Sequence, residues 1–192
     1  HGFGAVLHNR PFVGYILQLG FAQGILFGNI ASSPFIVQEH YGFSAFGFSL
    51  CFAANSLAIM SAAALAVRFR RQERATLLGC RGMLLFSLAT AAALACHCGF
   101  WLYEVLVFAL LFSMGITFPA TTTLAMDCTR EHAGTASALL GAVCFAFGGL
   151  VSPLVGMGDT LLSTGTVFVV CAVGSWLAFR SALHHRNRLA VA

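Results

Sequence analysis

Residues 105–126, VLVFALLFSMGITFPATTTLAM, form a run of 22 positions without a charged side chain. A helix that crosses the hydrocarbon core of a bilayer needs about 20 such residues. Five further uncharged runs of 20 to 28 residues occur, at 11–38, 40–67, 82–103, 132–158 and 160–179. A transmembrane barrel would instead show alternating segments of about 10 residues. The sequence therefore predicts an all-α, polytopic membrane protein with six transmembrane helices.

The composition supports this class and excludes others. Of the 192 residues, 59% are hydrophobic and 8% are charged, and the mean hydropathy is +0.88. A typical soluble domain is about 25% charged. The ten arginines leave a net charge of only +4, which is too little for a surface that tracks phosphates. We therefore exclude a soluble enzyme, a disordered chain and a nucleic-acid partner, and we expect the lipid bilayer to surround the protein.

The spacing of the runs leaves no room for a soluble domain. We predict one six-helix bundle over residues 1–192, with approximate spans at 12–36, 44–68, 75–97, 102–126, 133–156 and 161–183. The chain begins with His1, and no secretory signal pattern precedes the first span. We therefore expect a further N-terminal part to be missing from this sequence.

Arginine sets the expected orientation. All ten arginines fall in or next to four segments: the N-terminal tail, the loops after the second and fourth spans, and the C-terminal tail. Arg81 and Arg180 lie just inside the adjoining spans. We call the side of the membrane that these segments share the arginine-rich end. The opposite, arginine-free end carries only Glu39, Glu104 and Asp159. The positive-inside rule makes the arginine-rich end, with both termini, cytoplasmic. Glu104 lies close to the boundary of its span, and we expect its carboxylate to extend toward the membrane surface.

Small residues mark the expected helix contacts. The first span carries Gly20, Gly24 and Gly28 at intervals of four, and the fifth span carries a second group, which comprises Gly141, Gly148, Gly149 and Pro153. Glycine lets membrane helices approach closely, because lipid supplies no hydrophobic drive between them. For the first group we favour static packing of the helices over a moving interface. For the second group, static packing and a moving interface are equally supported.

Polar and aromatic side chains inside the spans are candidate binding groups. Buried polar groups are costly in lipid and usually face a partner or a cavity. Near the predicted midplane lie Gln23, Asn55, Met114 and Phe145, and the first span also carries Gln18 and Asn29. Such groups suit a weakly polar, lipophilic solute. For Asn55, hydrogen bonding between helices and binding of a solute are equally good explanations. For the other residues, hydrogen bonding between helices is the better explanation.

The sequence offers no visible enzyme chemistry. It contains no nucleophile elbow, zinc-protease motif or phosphate loop, so neither catalytic residues nor cofactors are predicted. Cys96-His97-Cys98 is a metal-like cluster, but adjacent residues rarely complete a tetrahedral site, and we predict no metal. No acid lies deep in a span, so an obvious proton-coupling group is lacking.

Three stretches carry a family resemblance: residues 33–44 (SPFIVQEHYGFS) followed by 52–57 (FAANSL), residues 64–71 (ALAVRFRR), and residues 133–141 (AGTASALLG). Together the chain resembles the C-terminal half of the bicyclomycin-resistance (Bcr/CflA) branch of the major facilitator superfamily. The middle stretch is similar to a degraded copy of the superfamily's basic loop, with Arg68, Arg70 and Arg71 but without its glycine and aspartate. We therefore favour a role in orientation over a role in gating for these arginines.

The resemblance implies a drug:proton antiporter of the bacterial inner membrane that works by alternating access. Its fold would be half of a twelve-helix transporter, made of two inverted three-helix units. The missing N-terminal half, small lipophilic substrates and protons would be its partners, and the coupling acids would lie mainly in that other half. The first, second, fourth and fifth spans would face the cavity, which places Gln23, Asn55, Met114 and Phe145 on the cavity group.

Three alternatives remain open from the residues. A six-helix half-transporter could complete its cavity by homodimerising, and a non-transporting scaffold could bind through the glycine stripes. An intramembrane enzyme is the weakest reading, since nucleophile, metal and carboxylate pair are all lacking.

Overall fold

The computed structural model describes residues 2–191, and within them it contains helices and no strand. Six of its seven α-helices, α2 to α7, are long and apolar enough to cross a membrane. The prediction of an all-α, six-span fold is therefore confirmed. The helices are α1 (Gly2–His8), α2 (Arg10–Pro34), α3 (Ala45–Ala66), α4 (Gln72–Ala95), α5 (Phe100–Asp127), α6 (Ala133–Val155) and α7 (Thr160–Val191).

The helix bounds differ from the predicted spans at both ends of the chain. The short helix α1 precedes the first span and was not predicted. After Pro34, α2 continues as a π-helical segment, Phe35–His40, in which the Tyr41 amide donates to the Ile36 carbonyl, five residues back. Proline has no amide hydrogen to donate, and wider π-type spacing is a common local adjustment within a helix. The last helix, α7, extends to Val191 and carries Arg186 and Arg188 beyond the predicted end at 183.

The six spanning helices form two interlocked three-helix units, the first made of α2, α3 and α4 and the second of α5, α6 and α7. At the centre, α2 and α5 contact each other, and α4 and α7 pack together against one side of this pair. The flanking helices are α3, which packs mainly on α5, and α6, which packs mainly on α2. Exchanging α2 with α5, α3 with α6 and α4 with α7 reproduces the principal contacts, although the smaller contact between α6 and α7 has no equally large counterpart between α3 and α4. Because each unit has an odd number of spans, the two units run in opposite directions through the bundle.

Polar contacts join the segments expected to share each end. Near the arginine-rich end, the Asn9 side-chain amide donates to the Cys128 carbonyl at 2.8 Å. There, too, Arg186 of α7 forms an ion pair with Glu73 at the start of α4. Near the arginine-free end, the Tyr41 hydroxyl donates to the Cys98 carbonyl at 2.9 Å. Each end is thus held together by contacts between segments that are distant in sequence.

Glycines line the principal helix contacts. A Cβ atom on Gly79 of α4 would lie 2.7 Å from the Ser113 carbonyl oxygen of α5, so a side chain there would push the two backbones apart. On α2, Gly20, Gly24 and Gly28 face the side chains of α6 and α7, namely Phe147, Val151, Val167, Phe168 and Cys171. Close approach of this kind is how helices associate in lipid.

The glycines of α6 divide into two sets. A Cβ atom on Gly148 would lie 2.7 Å from Cγ of Phe27 on α2. Nothing lies within 4 Å of such an atom on Gly141 or Gly149, and Pro153 is exposed. The small residues of α6 therefore pack on α2 at one position and leave an open surface at the others.

We expect Gly79→Ala to destabilise the bundle by about 2 kcal/mol, because the added methyl group meets α5 backbone that has no room to move. Gly134→Ala is the control, since a Cβ atom there meets nothing within 4 Å. Unfolding of the two variants in detergent measures the difference. Equal stability of both variants would contradict the packing described for α4 and α5.

Candidate functional site

A polar cavity lies between α2, α3 and α5, toward the arginine-free end. Its volume is about 10 Å³, and its polar lining consists of Asn29, Ser33, Asn55, Tyr103 and Glu104. Asn29 and Ser33 are one turn apart near the end of α2, and Tyr103 and Glu104 belong to the first turns of α5. Side chains four residues apart on a helix point in similar directions. Three helices thus direct polar groups into one small volume.

Asn55 and Glu104 are hydrogen-bonded across this cavity. The Asn55 side-chain amide donates to Oε1 of Glu104 at 3.0 Å, and Asn55 is only 7% exposed. The expectation that Glu104 extends to the membrane surface is therefore wrong. Its carboxylate turns toward the middle of α3, because a hydrogen-bond donor is available there.

Other polar atoms of the cavity have no partner within the described residues. Asn29 Oδ1, Asn55 Oδ1, Ser33 Oγ and the Tyr103 hydroxyl are buried without a hydrogen bond. Tyr103 is 1% exposed and Asn29 is 2% exposed. An unpaired buried polar group costs roughly 1–3 kcal/mol. Such groups call for an additional binding partner in the cavity.

Gln18 forms a hydrogen bond between helices, which is the explanation that the sequence favoured for it over a place in a cavity. Its side-chain amide donates to Ser175 Oγ of α7 at 3.0 Å, and Cys80 of α4 lies on the same side. Gln18 and Asn29 share a face of α2, as their spacing indicates. Because α2 crosses the bundle, that face meets α4 and α7 near Gln18 but α3 and α5 near Asn29. Gln18 therefore joins the packed helices instead of lining a cavity.

The remaining predicted cavity residues are spread over α2, α5 and α6. Gln23 is half-buried and makes no hydrogen bond among the described residues. Five residues place it about 140° around α2 from Gln18, so it points away from α4 and α7. Phe145 is 72% exposed on α6, with its ring 6.1 Å from that of Phe27. Met114 is only 2% exposed, because α5 is enclosed by α2, α3 and α4, and it does not reach an open surface.

The symmetry-related helices α3 and α6 are the least covered. Of their most apolar windows, 17% and 22% of the residues are buried, against 67% for α2. The exposed side chains include Phe52 on α3 and Phe145 on α6. We call the exposed surfaces of these two helices the α3/α6 face.

The two loop motifs are peripheral to this arrangement. Arg68, Arg70 and Arg71 are exposed beyond the end of α3, and the structure gives them no ion pair among the described residues. In the Cys96–Cys98 segment, His97 has a φ of +49°, and Cys98 accepts the Tyr41 hydrogen bond through its carbonyl. Between Gly2 and Val191, no three His, Cys, Asp or Glu side chains converge as metal ligands would.

Sequence reasoning missed three members of the polar cavity, namely Ser33, Tyr103 and Glu104. Ser33 and Tyr103 are common residues at the ends of membrane helices, so they carry no special signal. Glu104 did carry a sequence signal of a buried partner, because a carboxylate inside a membrane helix is costly in lipid unless it is paired. Asn55 could not be identified as that partner from the sequence, since the relative depth of α3 and α5 follows from their packing and not from span length.

The fold and the site define a class of protein. Two inverted three-helix units with polar groups at the contact between them are typical of secondary transporters. A transporter accounts for these features better than an enzyme does.

Comparison with known proteins assigns the family. The model of the Major Facilitator Superfamily matches residues 1–153. The chain is also 35% identical, over 180 residues, to the uncharacterized MFS-type transporter YdgK of Bacillus subtilis (strain 168). That alignment covers 92% of this chain and 45% of the relative, so the chain spans about half of the relative's length. The chain belongs to the major facilitator superfamily of membrane transporters.

We expect Asn55 and Glu104 to be energetically coupled. In a double-mutant cycle with Asn55→Leu and Glu104→Leu, the interaction free energy should be about 1 kcal/mol, within the range measured for hydrogen bonds between membrane helices. The free energy of unfolding of the detergent-solubilised full-length protein provides the measurement. Ser56→Ala is the matched control for Asn55→Leu, because the Ser56 hydroxyl bonds within α3 to the Phe52 carbonyl. Coupling of Glu104 to Ser56 as strong as that to Asn55 would contradict the assigned contact.

Proposed function

We propose that this chain is the C-terminal half of a drug:proton antiporter of the Bcr/CflA branch, which exports small lipophilic compounds. The observation that carries the proposal is the α3/α6 face. In a six-helix body, these symmetry-related helices leave most of their apolar windows uncovered. A second six-helix half would cover them, and the relative's length leaves room for such a half.

The proposed mechanism is alternating access between the two halves. The α3/α6 face would contact the N-terminal half and enclose the substrate cavity with it. The open small residues Gly141 and Gly149 lie on α6, beside exposed Pro153, where a second half could approach closely and slide. The closely packed contacts between α4 and α5 and between α2 and α7 would keep this half rigid while it rocks.

Two predicted residues are the strongest candidates for contact with substrate. Phe145 offers an exposed aromatic ring on α6. Gln23 offers a half-buried amide without a hydrogen-bond partner among the described residues. An apolar surface with few polar groups is typical of sites for lipophilic ligands. Met114 and Gln18 are enclosed by their own helices, and we do not include them.

We place the protein in the bacterial inner membrane with both termini in the cytoplasm. The support is the distribution of arginine, since all ten lie in or next to the segments that the even number of spans brings to one side. Export as the direction of transport rests on the family resemblance.

Efflux of ethidium from energised cells that express the full-length transporter tests the proposal. Phe145→Ala should slow efflux about tenfold at an unchanged protein level, because it removes an aromatic contact from the cavity surface. Leu177→Ala is the control, since Leu177 is 60% exposed on α7, outside the α3/α6 face. Dissipating the proton gradient should stop efflux by the unmodified protein.

Two results would contradict the proposal. One is ethidium efflux that continues unchanged without a proton gradient. The other is an equal effect of Phe145→Ala and Leu177→Ala, which would mean that the α3/α6 face has no special relation to the substrate.

A further inference from the structure

The polar cavity presents oxygen atoms that lack partners around a carboxylate that lacks a counter-charge. Glu104 supplies the negative charge, and its Oε1 accepts one hydrogen bond, from Asn55. No basic side chain is among the residues that line the cavity, and the described ion pairs do not involve Glu104. A carboxylate within a membrane span is costly unless it is paired or neutralised.

The unpaired atoms favour a positive ligand over a further hydrogen-bond donor from the protein. Asn29 Oδ1 and Asn55 Oδ1 are pure acceptors, and both are buried without a partner. A proton on Glu104 could satisfy one of them. A cation attracts every nearby oxygen at once, and hard cations prefer carboxylate, amide and hydroxyl oxygens. Ser33 Oγ and the Tyr103 hydroxyl add two more such atoms.

The size of the cavity fits a small ion. A space of about 10 Å³ lies open between the three helices, and one water molecule needs roughly 10–15 Å³ when volume is measured in this way. The space is far smaller than a typical drug-sized site of roughly 300–1,000 Å³. The cavity therefore suits a single small ion without a hydration shell and excludes a lipophilic drug.

We propose that Glu104, Asn29, Ser33, Asn55 and Tyr103 form a binding site for a small monovalent cation, sodium or hydronium. This inference goes beyond drug export, because it concerns binding of an ion by this half alone. The site lies on α2 and α5, which form the centre of the bundle, and on α3, which carries part of the open face. An ion bound there would draw α3 toward α2 and α5. The position of this part of the α3/α6 face would then depend on whether the ion is bound.

The neighbouring titratable groups do not offer an alternative charge. Cys51 on α3 and Tyr103 on α5 line the cavity, and α2 contributes only Asn29, Ser33 and Val37. The ring of Tyr41 lies 5.8 Å from that of Tyr103 and marks the edge toward the arginine-free end. Thiols and phenols are neutral near neutral pH, which leaves Glu104 as the charged group of the site.

Binding of radiolabelled sodium to the purified full-length protein in detergent tests the proposal. Unmodified protein should bind sodium saturably, with choline as the inactive replacement cation. Glu104→Gln should weaken binding at least tenfold, because the amide keeps the shape but removes the charge. Glu39→Gln is the matched control, since Glu39 is an exposed acid near the same end.

A second measurement separates hydronium from sodium. If hydronium is the ligand, sodium binding is absent, and the protein takes up about one extra proton between about pH 8 and pH 5 that Glu104→Gln abolishes and Glu39→Gln preserves. Should Glu104→Gln fail to fold, Ser33→Ala removes one oxygen without changing the charge and should weaken binding or uptake about threefold.

The proposal is overturned if the unmodified protein shows neither sodium binding nor this proton uptake. It is also overturned if Glu104→Gln binds like the unmodified protein, or if Glu39→Gln loses as much binding as Glu104→Gln. Because these measurements need no substrate, a failure here is separate from a failure of the efflux experiment.

Discussion

Close approach of helices at glycine is the constraint on which this bundle depends. Lipid gives apolar helices no reason to associate, so contact must come from tight packing and from polar groups that find each other. Glycine lies in five of the six largest contacts between helices: Gly79 between α4 and α5, Gly115 between α3 and α5, Gly14 between α2 and α7, Gly20 between α2 and α6, and Gly165 between α4 and α7. These contacts hold the two three-helix units in register, and the register in turn sets which polar side chains meet.

The register separates two kinds of polar group on the same helix. On α2, Gln18 meets Ser175 and is satisfied inside the bundle, whereas Asn29 reaches the cavity with its oxygen unpaired. The first arrangement resembles the hydrogen bonds that stabilise any membrane bundle. The second, beside Glu104, resembles a site prepared for a ligand. Polar amide side chains on one helix therefore stabilise the bundle at one depth and remain unpaired at another.

The number of spanning helices could be predicted from sequence because it depends on a one-dimensional property, the length of the runs between charged residues. The contacts between side chains of different helices could not be predicted, because they depend on how the helices are shifted and rotated against each other. The depth of Glu104 relative to Asn55 was missed, since span centres do not include helix tilt or the π-helical extension after Pro34. Met114 was expected near an open surface for the same reason, although its neighbours enclose it. Short α1 was missed because it carries too few residues for a clear pattern.

The central claim is that the α3/α6 face is turned away from lipid, toward a second half. Spin labels attached at Phe52→Cys and Phe145→Cys, in full-length protein with the native cysteines replaced, report collisions with oxygen dissolved in the bilayer. Labels at Leu85→Cys and Leu177→Cys are the comparison, because these residues are 63% and 60% exposed on α4 and α7. The account predicts frequent oxygen collisions for the second pair and rare ones for the first. Equal, frequent collisions at all four positions would contradict it, because α3 and α6 would then face the lipid like the outer helices.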